Sequence, residues 1–156
     1  MDTFLIILFV TLGLALSGLI FMIAYTYPIS KRVYRTQLVR TEPEKWSRVC
    51  SAPENEEQLE MWNAGIKWAD ENREYITEVE IENDGFKLFG EYFDFGAERC
   101  IIILPGRCES LIYSYYFAPA YKKAGFNVLV VDTRCHGKSD GIYNTIGVKE
   151  SSDVIA

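Results

Sequence analysis

The chain has 156 residues, with 22 acidic against 16 basic side chains, one histidine and a formal net charge of −6 at pH 7. This acidic balance, with no patch of arginines and aromatics, excludes nucleic acid as a partner, because phosphate binding needs a basic footprint. The four cysteines (Cys50, Cys100, Cys108, Cys135) show no C-x-x-C spacing and have one histidine to work with, which excludes a structural zinc site; they read as reduced thiols of a cytosolic compartment.

No charged residue lies between Thr3 and Ser30. As a helix, the apolar run Phe4–Tyr27 spans about 36 Å, more than the roughly 30 Å of a hydrocarbon core, so residues 4–27 are expected to be a transmembrane anchor. A cleaved signal peptide fits less well. Asp2 stands where a basic residue is expected, the run is too long, and no small-residue cleavage site follows. Lys31, Arg32, Arg35 and Arg40 come directly after it, so the positive-inside rule predicts a single-pass protein of the cell membrane with its C-terminal bulk in the cytoplasm. The expected organisation is an anchor over residues 1–30, a polar linker with an amphipathic helix over 31–74, and a domain over 75–156.

Within the linker, Ser51-Ala52-Pro53-Glu54 has the form of a capping box with proline in the first turn. Leu59, Trp62, Ile66 and Ala69 then recur at spacings of three and four, which predicts one apolar helical stripe packed on the domain surface. An interfacial helix on the membrane is disfavoured by the acidic face of Glu56, Glu57, Glu60, Asp70 and Glu71. From Tyr75 the period changes to two. Two strands are expected, one from Ile76 and one over Phe86–Phe93, joined by a tight turn at Asn83-Asp84-Gly85, where Asp and Gly tolerate positive φ.

Cys100–Leu104 is a continuous apolar run, as expected of a strand buried on both faces. A loop over Pro105–Ser110 precedes an aromatic-rich helical stretch to Ala124, which Gly125 ends and Pro119 either starts or kinks. Val128–Val131 is the next buried strand, and Val148 begins a further helix. Strand, helix and strand make a parallel βαβ unit, and ligands of such sheets sit beyond the carboxyl ends of the strands. Two loops occupy that edge: Pro105–Ser110 and Thr133–Gly141.

The order of a hairpin, a strand ending in Leu104-Pro105-Gly106-Arg107, a helix, and a strand ending in Asp132-Thr133-Arg134-Cys135-His136-Gly137-Lys138-Ser139 resembles the N-terminal half of the α/β-hydrolase fold. The resemblance covers roughly Ile76 to Ala156 and is closest to bacterial, membrane-anchored serine hydrolases. It implies that the Arg107 N–H is a donor of the oxyanion hole and that Gly106 allows close backbone approach. It also implies that Asp132, Arg134, His136, Gly137 and Ser139 form the structural loop that supports the site. Pro105 stands where many members have histidine, and Cys135 where glycine is usual.

Ser139 lies in a literal G-x-S-x-G, the pattern of a nucleophile elbow. Such an elbow joins a strand directly to a helix. Here Asp132–His136 intervene after Val131, no helical start follows Gly141, and no second histidine is available as base, so Ser139 is expected to be scaffold. The nucleophile, acid and histidine are then expected beyond Ala156. On this reading the chain is the inactive first half of a hydrolase acting on an ester, thioester or amide of a small-molecule or acyl substrate, and Cys100–Leu104 is left as an exposed apolar edge. The competing expectation is a non-catalytic, membrane-tethered interaction module or an inactive truncated gene product. Gly106-Arg107-Cys108-Glu109-Ser110 matches neither G-x-G-x-x-G nor a P-loop, so no nucleotide, other cofactor or metal is expected.

Overall fold

The computed structural model describes residues 2–42, 46 and 52–156, and the chain divides into two compact units, Met1–Leu38 and Val39–Ala156. In the first, helix α1 runs over Thr3–Leu38, past the apolar run and through Lys31, Arg32 and Arg35. It is long and apolar enough to cross a membrane. The hydroxyls of Thr11, Ser17 and Thr26 donate to the carbonyls of Ile7, Leu14 and Met22 at 3.0, 2.9 and 2.7 Å. These bonds satisfy the three hydroxyls within the helix itself. Pro28 removes one helical N–H without ending the helix.

In the second unit, helix α2 (Glu56–Glu71) begins later than expected. Ser51 lies outside the described residues, as does Cys50. Asn55 is the cap: its Oδ1 accepts from the N–H groups of Glu57 and Gln58 at 3.0 and 3.2 Å, and Glu56 and Glu57 suit the positive end of the helix. Trp62, Gly65 and Ala69 form the buried stripe, with Leu59 and Ile66 half-buried beside it. Gly65 was not in the expected stripe. It is where α2 meets the 3₁₀ segment Leu111–Tyr116: a Cβ there would stand 2.9 Å from the Tyr116 backbone nitrogen and 3.2 Å from the Tyr115 Cβ.

Strands β1 (Ile76–Asn83) and β2 (Phe86–Phe93) form the expected hairpin. Asp84 and Gly85 take φ of 53° and 76°, the paired left-handed conformation whose twist matches the strands. Strands β3 (Cys100–Ile103) and β4 (Asn127–Val131) are parallel neighbours, β4 runs antiparallel to β2, and the order is β1-β2-β4-β3. The expected helix between β3 and β4 is split. The 3₁₀ segment comes first, then α3 (Ala118–Lys123), with Pro119 in its first turn and Gly125 beyond its end at φ 79°. A short helix α4 (Glu150–Ile155) ends the chain.

One face of the sheet packs Phe89, Phe93, Val128 and Val130 against Ala69, Leu111, Tyr115 and Ala118, and this is the core. Trp68 lies 5.0 Å from the Phe93 ring. Cys100–Leu104 is the exposed apolar edge expected above, and it is not buried on both faces. β3 is the edge of the described sheet, with Cys100, Ile102 and Leu104 exposed, because no element among the described residues covers its outer side.

Close approach at Gly65 makes the α2 contact intolerant of a larger side chain. Gly65→Val is expected to lower stability by about 1–3 kcal/mol through overpacking, outweighing any gain in helix propensity. Denaturant unfolding of detergent-solubilised protein measures this as a fall in midpoint at unchanged slope.

Candidate functional site

Two loops leave the carboxyl ends of the parallel pair β3 and β4, residues 104–110 and 132–141, and buried groups tie them together. Asp132 follows β4 directly and is 3% exposed. Its Oδ1 accepts from the Leu111 N–H on the far side of the first loop, and its Oδ2 from the Lys138 N–H, both at 2.8 Å. Burial pushes the Asp132 carboxyl above the usual carboxylate range, against the pull of those two backbone donors. Gly137 (φ 46°) wraps around this carboxylate so closely that a Cβ would stand 2.0 Å from Oδ2. No other residue fits there.

His136 makes the second tie. Its Nδ1 lies 2.9 Å from the Arg134 carbonyl oxygen and 3.1 Å from Thr133 Oγ1, and its Nε2 accepts from the Cys108 N–H at 3.2 Å. A carbonyl can only accept, so the proton sits on Nδ1 and the ring is neutral. Burial holds its pKa below the ordinary 6.5. The Trp46 indole stacks on the ring at 5.1 Å with planes 18° apart.

Ser139 is fully enclosed. Its hydroxyl donates to the Asp132 carbonyl at 2.7 Å and accepts from the Phe89 N–H of β2 at 2.9 Å. Neither partner is a base. Arg134 donates to Asp153 through Nε at 2.7 Å and Nη2 at 2.6 Å, which fastens the loop to α4, and Asn83 Nδ2 donates to the same carboxylate at 2.8 Å. Both side chains of this ion pair are enclosed, so removing one strands the other in a poorly solvated place.

Cys135 takes φ 60°, a conformation glycine adopts without penalty and other residues adopt at roughly 1–2 kcal/mol. Its thiol lies 3.7 Å from His136 Nδ1, but burial pushes its pKa up to about 12, which leaves it protonated. Cys100, Cys108 and Cys135 are free thiols. Among the described residues no cluster of metal-ligating side chains occurs.

In the first loop Gly106 and Arg107 are exposed at the apex. The peptides flanking Arg107 are held. The Gly106 N–H donates to Glu109 Oε2 at 2.9 Å, the Glu109 N–H returns to the Gly106 carbonyl at 3.2 Å, and the Cys108 N–H is taken by His136. Asp132 and His136 thus join the second loop to the first, whereas Arg134 binds α4, Ser139 binds β2 and Gly137 turns the second loop around the Asp132 carboxylate.

Sequence reasoning missed two members of this assembly. Arg40, read as part of the basic flank of the anchor, is buried in the second loop and donates to the carbonyls of Gly137 at 3.1 Å and Ser139 at 3.4 Å. Trp46 accepts from the Gly137 N–H at 3.1 Å in addition to stacking on His136. An isolated tryptophan in a polar stretch was the one available signal.

No family model and no curated protein matches the chain. Solved structures do. An esterase from Pyrococcus furiosus is 36% identical over 56% of this chain and 36% of its own, with a TM-score of 0.50; a second crystal form of it gives 36% identity and 0.48. An α/β hydrolase from Vibrio vulnificus is 17% identical over 71% of this chain and 38% of its own, at 0.44. The chain therefore spans little more than a third of the esterase it matches.

Because His136 is the only histidine, its ring resonances report on it directly. Its NMR titration midpoint is expected below 6.5. The sign follows from burial: as pH falls through about 6.5 the unfolded chain takes up this proton first, so the group's contribution to stability is present above that pH and lost below it. Ser139→Ala takes from the Phe89 N–H and the Asp132 carbonyl the partner that each has in a buried place. A loss of about 1–3 kcal/mol is expected, read by the same unfolding measurement.

Proposed function

Since the chain is related to the α/β-hydrolase superfamily over part of its length, we propose that it carries the oxyanion-loop side of a serine hydrolase acting on an ester, thioester or amide bond. One observation carries this reading. An exposed Gly106-Arg107 apex projects from the end of β3, and buried side chains of the neighbouring parallel strand's loop fasten it in place. Catalysis of acyl transfer needs backbone donors fixed before charge develops, because a donor already in place spends nothing on reorganisation at the transition state. In this reading the Arg107 N–H faces the developing oxyanion, and glycine at 106 keeps side-chain atoms out of the way. Asp132, Arg134, His136, Gly137 and Ser139 hold the loop and take no chemical step.

The hydroxyl of Ser139 is committed to two backbone partners, and the one histidine is neutral with its Nε2 engaged. The attacking serine, its acid and its base are therefore not assigned to these residues. The reaction as a whole is proposed for a polypeptide that adds them to these loops. Helix α1 serves as a single-pass anchor, and Lys31, Arg32 and Arg35 at its end favour a cytoplasmic domain. The lack of a serine or thiol nucleophile activated by the histidine among the described residues also favours a second reading, a tethered module that binds without turnover.

A fluorophosphonate probe separates the two. This chain is expected to remain unlabelled, whereas a polypeptide joining these loops to a strand-borne serine is labelled there; labelling at Ser139 overturns the assignment of scaffold. In that active polypeptide Arg107→Pro, which deletes the N–H, is expected to lower kcat by about 10²–10³ with little change in KM, and Arg107→Ala to leave it near normal.

A further inference from the structure

Three residues that lie outside the sheet, Val39, Arg40 and Trp46, hold the second loop, and Trp46 also stacks on the histidine that reaches the first loop. Val39 bridges to Tyr143, and the Arg40 N–H donates to the Ile142 carbonyl at 2.7 Å, so the chain is pinned along the far end of the second loop. The Arg40 guanidinium then holds the carbonyls of Gly137 and Ser139, on either side of Lys138. Trp46, 7% exposed, lies flat on the His136 ring, and its carbonyl holds the Gly137 N–H. With one ring face covered by Trp46 and Nδ1 held by the Arg134 carbonyl, the direction of Nε2 is set. That nitrogen accepts from the Cys108 N–H, which belongs to the peptide joining Arg107 to Cys108. It therefore fixes ψ of Arg107 and the left-handed φ of 70° at Cys108. These contacts make Val39, Arg40 and Trp46 part of the site.

We propose that Trp46 is a positioning residue for the oxyanion loop and acts through His136, whose Nε2 orients the Arg107–Cys108 peptide, while Arg40 holds the carbonyls of the loop that carries this histidine. This rests on the reading of Arg107 given above. The residues touch no substrate. Their effect is to hold the peptide plane that follows Arg107, while the plane that carries the Arg107 N–H is held by the Glu109 N–H on the Gly106 carbonyl at 3.2 Å.

The test uses the full chain in detergent micelles. Nitrogen-15 NMR of the single histidine is expected to show the Nδ1–H tautomer, and the Cys108 amide is expected to exchange slowly. Trp46→Leu should mix the tautomers and speed Cys108 exchange about tenfold or more, with the Val128 and Phe93 amides of the core still protected. Trp46→Phe, which keeps an aromatic face, should restore both. His136→Ala should speed Cys108 exchange to the same extent without releasing the core. Unchanged Cys108 exchange in Trp46→Leu overturns the proposal. So does a Trp46→Leu chain in which the Val128 and Phe93 amides lose protection together with Cys108, because Trp46 is then a general packing residue. In the active polypeptide, Trp46→Leu is expected to lower kcat about tenfold with KM within twofold. Faster Cys108 exchange with unchanged kcat upholds the positioning through His136 and overturns the oxyanion role of Arg107.

Discussion

Asp132 stands at the end of β4 with its carboxylate turned inward, and much of the second unit is arranged to make that tolerable. Leaving water costs an ionised carboxylate several kcal/mol, whereas a hydrogen bond to a charged group returns about 1.5–3 kcal/mol. Two backbone donors, from Leu111 and Lys138, serve the two oxygens. The raised pKa of the group says that desolvation still outweighs them. The constraint spreads from there. Lys138 N–H can reach the carboxylate only if the loop turns at Gly137, and Gly137 can turn only because it has no Cβ to strike Oδ2. Leu111 N–H reaches it only if the first loop is short and folded back over β4.

The same economy explains Ser139. A hydroxyl beneath this turn meets one backbone donor on β2 and one backbone acceptor just past the end of β4, and it matches both. It acts as a rivet between strands, so its place in a G-x-S-x-G pattern reflects the turn chemistry of glycines at 137 and 141. His136 is bound by comparable logic. Burial removes the stabilising water that a charged ring needs, so the neutral form persists, and a neutral ring offers one donor and one acceptor. Each finds a backbone partner, one in each loop. The chemistry usually looked for in a lone histidine is here spent on joining two turns.

Much of this was legible in sequence because it is local. The hairpin follows from Asp84-Gly85, where two consecutive positive φ angles are needed, and the structure places them there. Parallel pairing of β3 and β4 follows from two apolar runs separated by a helical stretch, and Pro119 and Gly125 mark where its regular part starts and stops. Errors arose where one local signal competed with another. Ser51-Ala52-Pro53-Glu54 and Asn55-Glu56-Glu57 are both helix starts, and the second is the one in use among the described residues. Reading Cys100–Leu104 as a strand buried on both faces counted its residues and not its neighbours, and burial depends on what lies alongside.

Periodicity and spacing along the chain were enough for the long apolar helix, the alternation of strands and the turn residues, and the residues of the two loops carried the resemblance to a known superfamily. Only the tertiary structure decided which polar side chains face inward and whom they meet. Arg40 finds its carbonyl partners 97 and 99 residues away, and no pattern within either stretch carries that information. A basic residue beside an apolar helix reads as a membrane-flanking charge, and nothing along the chain assigns Trp46 a role. Both find their place through the same physical fact: a buried loop with backbone carbonyls to satisfy and one neutral ring needs donors and a flat apolar cover, and the chain supplies them from far away.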